Sequence, residues 1–216
     1  SAELGDSERA LTNYLKVLEH EPADEELRNQ CHDLADESGR HNLLANALAS
    51  AAEATSSPQL QCQLLKERAE LHFGPLSDLE AGIQALKAAL DAVHDDEEAQ
   101  QRLDNIYLAE ERHGELAELL ELRSHTVSDP IEKQAFALRR VDLLAGPLGD
   151  YDDAVMVLSS MLAKATTDEV VTRLRNLFDQ DVCSDDIFPL LDRAYQDQER
   201  FEDVRDILKR RANQVE

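Results

Sequence analysis

Leucine and alanine recur along most of the chain at spacings of three, four and seven residues. Clear examples are Leu11, Leu15 and Leu18, and later Ile83, Leu86, Leu90 and Val93. This spacing places the apolar side chains on one face of a helix. No comparable stretch alternates strictly between apolar and polar residues, as a half-buried strand would. The pattern therefore predicts an all-α chain.

Glycine, proline and acidic pairs interrupt this pattern at intervals of one ordinary helix. The interruptions predict about 12 antiparallel helices. Their expected positions are near residues 6–20, 24–38, 41–55, 58–73, 78–93, 96–111, 114–127, 130–145, 150–165, 168–180, 185–198 and 201–214.

One string of the sequence occurs twice in related form. LHFGPLSDLE at residues 71–80 returns as LLAGPLGDYD at residues 143–152, an offset of 72 residues. The offset predicts repeat blocks 4–75, 76–147 and 148–216, the last irregular after residue 180. We expect residues 1–216 to form a single solenoid domain, cut from a longer protein.

The repeated string contains signals that end one helix and begin the next. Gly74 and Gly146 are expected to take the left-handed conformation just past a helix, with proline behind them. Aspartates at positions 6, 78 and 150 are expected to cap the following helix. Ser57 and Asp129, each followed by proline, are expected to cap in the same way.

The spacing of several residues resembles that of the tetratricopeptide repeat (TPR) superfamily. Ala10 and Leu44 are 34 residues apart, which is the TPR period. The residues that carry the resemblance in the first block are Gly5, Ala10, Tyr14, Val17 and Pro22. Gly82 stands where the repeat usually has alanine. The resemblance implies a right-handed α-α superhelix whose first helix in each pair lines a concave groove.

By this resemblance, residues off the core stripe of those first helices are candidates for binding a partner. The candidates are Asn29, Asp33, Lys66, Glu70, Gln101, Asn105, Leu138, Asp142 and Arg173. The alternative for each of them is an ordinary solvated position on a helix surface.

Charge narrows the classes of partner. The chain has 46 acidic and 22 basic side chains, for a formal net charge of -24. Long-range repulsion argues against nucleic acid or an anionic membrane as a partner. A protein or peptide, neutral or basic, is expected instead. Alternatively, the acidic residues simply solvate the outer helix faces.

The sequence contains no recognisable catalytic or metal-binding motif. The three cysteines form no CxxC pair and are expected to be reduced. None of the seven histidines lies three or four residues from another, the spacing at which two ligands share a helix face. Glycine motifs that bind phosphate are also missing. We therefore expect no enzyme activity, no cofactor and no metal, and a cytoplasmic location.

Three functions remain open from the sequence, and the third of them is a degenerate regulatory domain attached to a separate enzyme. The first is a scaffold or adaptor that docks a protein or peptide partner. The second is a structural spacer or self-assembly segment of a large repeat protein, associating through its terminal helices. Basic residues gather in the last of these helices, at Arg205, Lys209, Arg210 and Arg211. They would either complement neighbouring acidic repeats or contact another chain.

Overall fold

The computed structural model describes residues 2–214, with side chains for residues 6–212. Residues 1, 215 and 216, at the ends of the predicted domain, lie outside the described residues, as does the side chain of Leu4 in the first repeat block. In the described part of the chain there are 12 α-helices and no β-strand. They are α1 Ala2–Leu18, α2 Glu25–Ser38, α3 His41–Ala54, α4 Pro58–Phe73, α5 Leu79–Ala92, α6 Glu97–Ala109, α7 His113–Thr126, α8 Pro130–Leu143, α9 Tyr151–Leu162, α10 Asp168–Asp179, α11 Ser184–Asp197 and α12 Phe201–Gln214.

Helix starts reproduce the 72-residue repeat. Helices α3 and α7 begin at His41 and His113, and α4 and α8 begin at Pro58 and Pro130. Short turns join consecutive helices, and most of these helices pack on a chain neighbour as a hairpin, for example α3 on α4 and α7 on α8. The all-α class and the expected number of about twelve helices are thus confirmed for the described residues.

The predicted N-terminal caps are confirmed at four positions. Ser57, Asp78 and Asp150 each accept a hydrogen bond from the backbone N–H three residues further on. Asp129 accepts from the N–H of Ile131. The expected cap at position 6 is wrong, because α1 begins at Ala2.

The predicted glycine caps are also wrong. Gly74 has a φ of -92° and ends α4 without a left-handed turn. Gly146 lies inside a single π-helical turn, Leu144–Leu148, that follows α8. The left-handed residues come later, at Ser77 with φ 51° and at Gly149 with φ 64°. In both turns the left-handed backbone follows the proline rather than preceding it.

The chain divides into two compact units, Ser1–Ile106 and Tyr107–Glu216. Each unit has its own cluster of buried apolar side chains. In the first unit the cluster includes Leu11, Leu18, Leu44, Leu48 and Leu64. In the second it includes Leu158, Leu174, Phe178, Leu191 and Tyr195. The single solenoid over residues 1–216 stays a prediction.

None of the helices described in either unit combines the length and the apolar character needed to cross a bilayer.

Candidate functional site

Four of the nine predicted partner-binding residues lie together in one groove of the first unit. This groove, the α4–α6 groove, has a volume of about 650 Å³. Lys66 and Glu70 line it from α4, and Gln101 and Asn105 line it from α6. These pairs are separated by four residues, so each pair lies on one face of its helix.

A lysine and two carboxylates join the two helices at one end of the groove. Lys66 Nζ lies 3.0 Å from Asp96 Oδ2 and 2.6 Å from Glu98 Oε2. Asp96 also accepts a hydrogen bond of 2.8 Å from the backbone N–H of Ala99, in the first turn of α6. One aspartate therefore caps α6 and binds the lysine of α4.

This contact shifts the pKa of both partners away from neutral pH. Burial alone would lower the pKa of Lys66, but its hydrogen bonds to Glu98 and Asp96 outweigh burial and raise that pKa. Burial would likewise raise the pKa of Asp96. The N–H of Ala99 and the Lys66 ammonium reverse this and lower the pKa of Asp96 below its ordinary value. Both groups are therefore charged at neutral pH.

A second ion pair lies further along the groove. Arg102 Nη2 on α6 lies 3.2 Å from Glu70 Oε2 on α4. The same guanidinium lies over the ring of Phe73, 5.4 Å from its centroid. Arg102 and Glu70 are both about half exposed. The pair positions the two walls of the groove while its charges remain accessible to a ligand.

The outer edge of α6 presents two side-chain amides. Gln101 Nε2 donates to Asn105 Oδ1 at 3.2 Å, and both residues are exposed. Their hydrogen bond uses one donor and one acceptor, and the remaining amide groups face solvent. These amides can bind a peptide backbone, which offers the same donors and acceptors.

A buried arginine that the sequence did not reveal joins α2 to α4. Arg28 is 3% exposed, and its Nε donates to Glu67 Oε1 at 3.0 Å. Its Nη1 donates to the carbonyl oxygen of Pro22 at 2.7 Å. Glu67 also lines the α4–α6 groove. Arg28 holds this carboxylate in position, and truncating Glu67 would leave the buried Arg28 without its carboxylate partner.

The other predicted residues do not line the α4–α6 groove. Asn29 and Asp33 are exposed on α2. In the second unit, Asp142 on α8 binds Arg173 on α10 through an ion pair of 2.8 Å. The placement of Leu138 off the core stripe is wrong: it is 8% exposed and belongs to the core of the second unit. Its helix is rotated so that Leu138 and Val141 both face inward.

The acidic loop before α11 is bound by arginines of α12. Arg210 lies 3.3 Å from both Asp179 and Asp181, and Arg211 lies 3.2 Å from Asp185. This arrangement supports the expectation that the basic residues of the last helix complement neighbouring acidic repeats. Among the described residues, no group of three or more His, Cys, Asp or Glu side chains is arranged to hold a metal ion.

The cysteine thiols of the first unit are enclosed in its core. Cys31 and Cys62 are both buried and form no disulfide. Burial raises the pKa of each to about 11. At neutral pH both are protonated thiols, which react slowly as nucleophiles.

Comparison with known proteins gives similarity to solved structures. No family model matches the chain, and no curated protein matches it. A solved structure that matches is the crystal structure of a variant Podosopora anserina protein, described as a kinesin light chain with nearly identical TPR-like repeats. The two chains are 16% identical, the match covers 96% of this chain and 94% of that chain, and the TM-score is 0.34.

Proposed function

We propose that the chain is a non-enzymatic interaction module that binds a protein or peptide partner in the α4–α6 groove. The observation that carries this proposal is the meeting of Lys66, Glu70, Gln101 and Asn105 in one groove. Helical repeats of this kind build continuous surfaces that suit extended ligands.

The ion pairs of the groove support binding because they fix its walls before a partner arrives. Lys66 and Arg102 hold α6 against α4 through carboxylates on the opposite helix. A groove that is already ordered loses less conformational entropy when a ligand binds. Its exposed amides on α6 then form hydrogen bonds with the partner.

The charge of the surface favours a basic or neutral partner. Glu98 and Glu70 are 78% and 61% exposed while they bind their cations. The whole chain carries a formal charge of -24. Such a field accelerates the encounter with a basic partner and weakens as salt is added.

Affinity capture with three forms of the protein tests the proposal. The baits are the unchanged chain, the groove variant Gln101→Ala with Asn105→Ala, and a control variant Asn46→Ala with Gln59→Ala. Asn46 and Gln59 are exposed on α3 and α4 and do not line the groove. A partner must be recovered by the unchanged and control forms and then purified for calorimetry.

We expect the groove variant to bind that purified partner about tenfold more weakly, since two exposed hydrogen bonds are lost. Equal affinity of all three forms would contradict binding in the α4–α6 groove.

A further inference from the structure

An open cleft in the second unit separates the α7–α8 hairpin from α9. We call it the methionine cleft, because Met156 and Met161, the two methionines of the sequence, both line it. Its volume is about 420 Å³. Ala137 and Arg140 of α8 and Val157 of α9 form further parts of its wall. Met156 is 60% exposed, so a flexible apolar side chain is available to a ligand.

Several of the corresponding positions of the first unit are buried. Subtracting 72 from the cleft residues gives five buried positions, which are Ala52, Cys62, Leu65, Ala85 and Ala89. Their counterparts in the second unit are partly exposed, namely Ser124, Gln134, Ala137, Val157 and Met161. Ala137 replaces Leu65, which is 6% exposed in the core of the first unit. Loss of the leucine side chain from this position leaves the space between the helices unfilled.

The cleft has also gained positive charge relative to the first unit. Lys133 and Lys164 line it where the first unit has Gln61 and Ala92. Both lysines are exposed, and neither forms an ion pair with any residue that the structure describes. The only carboxylate among the lining residues is Glu121, which lies 3.1 Å from Arg140. Next to the lining, Glu169 Oε2 accepts a hydrogen bond of 2.9 Å from Gln134 Nε2. Lys133, Lys164 and Arg140 thus face two carboxylates at the cleft, and a small local excess of positive charge lies within a strongly acidic chain.

We propose that the methionine cleft binds a short acidic peptide segment that carries an apolar side chain. This inference extends the interaction function proposed above to a second surface with a different ligand class. The apolar side chain contacts Met156, Met161 and Val157, whose soft side chains adapt to irregular shapes. Carboxylates on the segment pair with the two lysines, which carry no competing partner.

Charge complementarity favours an acidic peptide segment over basic and wholly apolar segments. A basic segment would bring like charges towards Lys133, Lys164 and Arg140. A wholly apolar segment would leave the lysines without a partner and would gain nothing from their charge. The net charge of the chain works against an acidic ligand at long range. If the chain prefers acidic peptides in an experiment, that preference must therefore arise from the local charge of the methionine cleft.

Methionine-methyl NMR tests the proposal, since both methionine signals report on the cleft. The chain is labelled with ¹³C-methyl methionine, and Met156→Leu assigns the two signals. The probe is the capped peptide Gly-Asp-Glu-Leu-Leu-Asp-Glu-Gly at low ionic strength. Control peptides replace its acids with asparagine and glutamine, or with lysine and arginine. We expect both methyl signals to shift with the acidic peptide and with neither control.

Two variants test the residues of the cleft. Lys133→Gln with Lys164→Ala restores the residues of the first unit, and we expect it to weaken binding about tenfold. Ala137→Leu restores the filled packing of Leu65 and should abolish binding. The control Lys16→Gln with Lys87→Ala removes the same two charges from exposed positions of the first unit, and it should bind as the unchanged chain does. Circular dichroism checks that each variant is folded.

The outcomes separate this inference from the general function. Shifts caused equally by neutral and acidic peptides, or retained in the Lys133/Lys164 variant, would overturn the acidic ligand class. An absence of shifts up to millimolar peptide would overturn the site itself. Binding of a purified partner in the α4–α6 groove would stand in either case. Conversely, methyl shifts without partner binding at that groove would refute the function proposed there and leave the cleft supported.

Discussion

Arg173 on α10 donates from Nε and Nη2 to the two carboxylate oxygens of Asp142 on α8, each at 2.8 Å. The two residues are 31 positions apart in the chain. Arg102 and Glu70, which join α6 to α4, are 32 positions apart. These separations equal about one helix hairpin, so each pair connects a helix to the next but one. Charged contacts thus join alternate helices within each unit.

Removing the charge of Asp142 should weaken the second unit. Asp142→Asn loses the two-pronged ion pair, and we expect a loss of about 1 kcal/mol in the free energy of unfolding, since both side chains are partly exposed. Urea denaturation followed by circular dichroism measures this change. Glu118→Gln, an exposed acid on α7, is the control and should be nearly neutral. Equal effects of the two substitutions would show that the ion pair contributes nothing.

The left-handed turn after α4 offers a stabilising substitution. Ser77 has a φ of 51°, where its repeat equivalent Gly149 has a φ of 64°. A side chain in this conformation costs about 1 kcal/mol, partly offset here by the 3.2 Å hydrogen bond from Ser77 Oγ to the carbonyl oxygen of Gly74. We expect Ser77→Gly to raise the thermal midpoint and Gly149→Ser to lower it. The same direction of change in both variants would contradict the equivalence of the two turns.

Packing of α5 on α4 explains the glycine at position 82. A Cβ added to Gly82 would lie 2.3 Å from Cε1 of the Phe73 ring. Gly82→Ala should therefore lower the free energy of unfolding by about 1–3 kcal/mol, although alanine favours the helix. With Phe73→Leu in the background, the added methyl group should cost less. A cost that does not depend on residue 73 would rule out the ring as its cause.

Acid should weaken the contact between α4 and α6. The folded protein lowers the pKa of Asp96 from its ordinary value of 3.8. The unfolded chain therefore takes up the proton first, and the stabilisation by Asp96 is present above about pH 4 and is lost as pH falls through the lower, folded value. Asp96→Asn keeps a capping side chain but removes the charge. Its stability should change less between pH 6 and pH 3 than that of the unchanged chain, by urea denaturation at each pH. Parallel pH curves would contradict this linkage.

Helix positions were largely predictable because their signals are local. Proline after a capping residue places the starts of α4 and α8, at Pro58 and Pro130. The helix cap predicted at Asp6 was wrong because it was inferred from the equivalent Asp78 and Asp150. Those two residues follow a proline that ends the preceding helix, and Asp6 does not. The left-handed cap predicted at Gly74 was wrong because the neighbouring backbone, rather than the residue type, decides which position of the turn becomes left-handed.

The candidate site was predictable only in part. Helical phase found Lys66, Glu70, Gln101 and Asn105, but it placed Leu138 on the wrong face. The buried Arg28 and the opening beside Ala137 depend on side chains from other helices, which local periodicity does not report. The 72-residue repeat could have predicted the cleft, since Leu65 and Ala137 occupy equivalent positions and their side chains differ greatly in volume.

Hydrogen exchange of the chain with and without a purified partner tests the central claim most directly. Amide protection is measured by mass spectrometry along both units. The account predicts that the partner slows exchange in α4 and α6, around residues 63–70 and 98–105, and that the Gln101/Asn105 variant loses this effect. Protection confined to the terminal helices α1 and α12 would contradict binding in the α4–α6 groove.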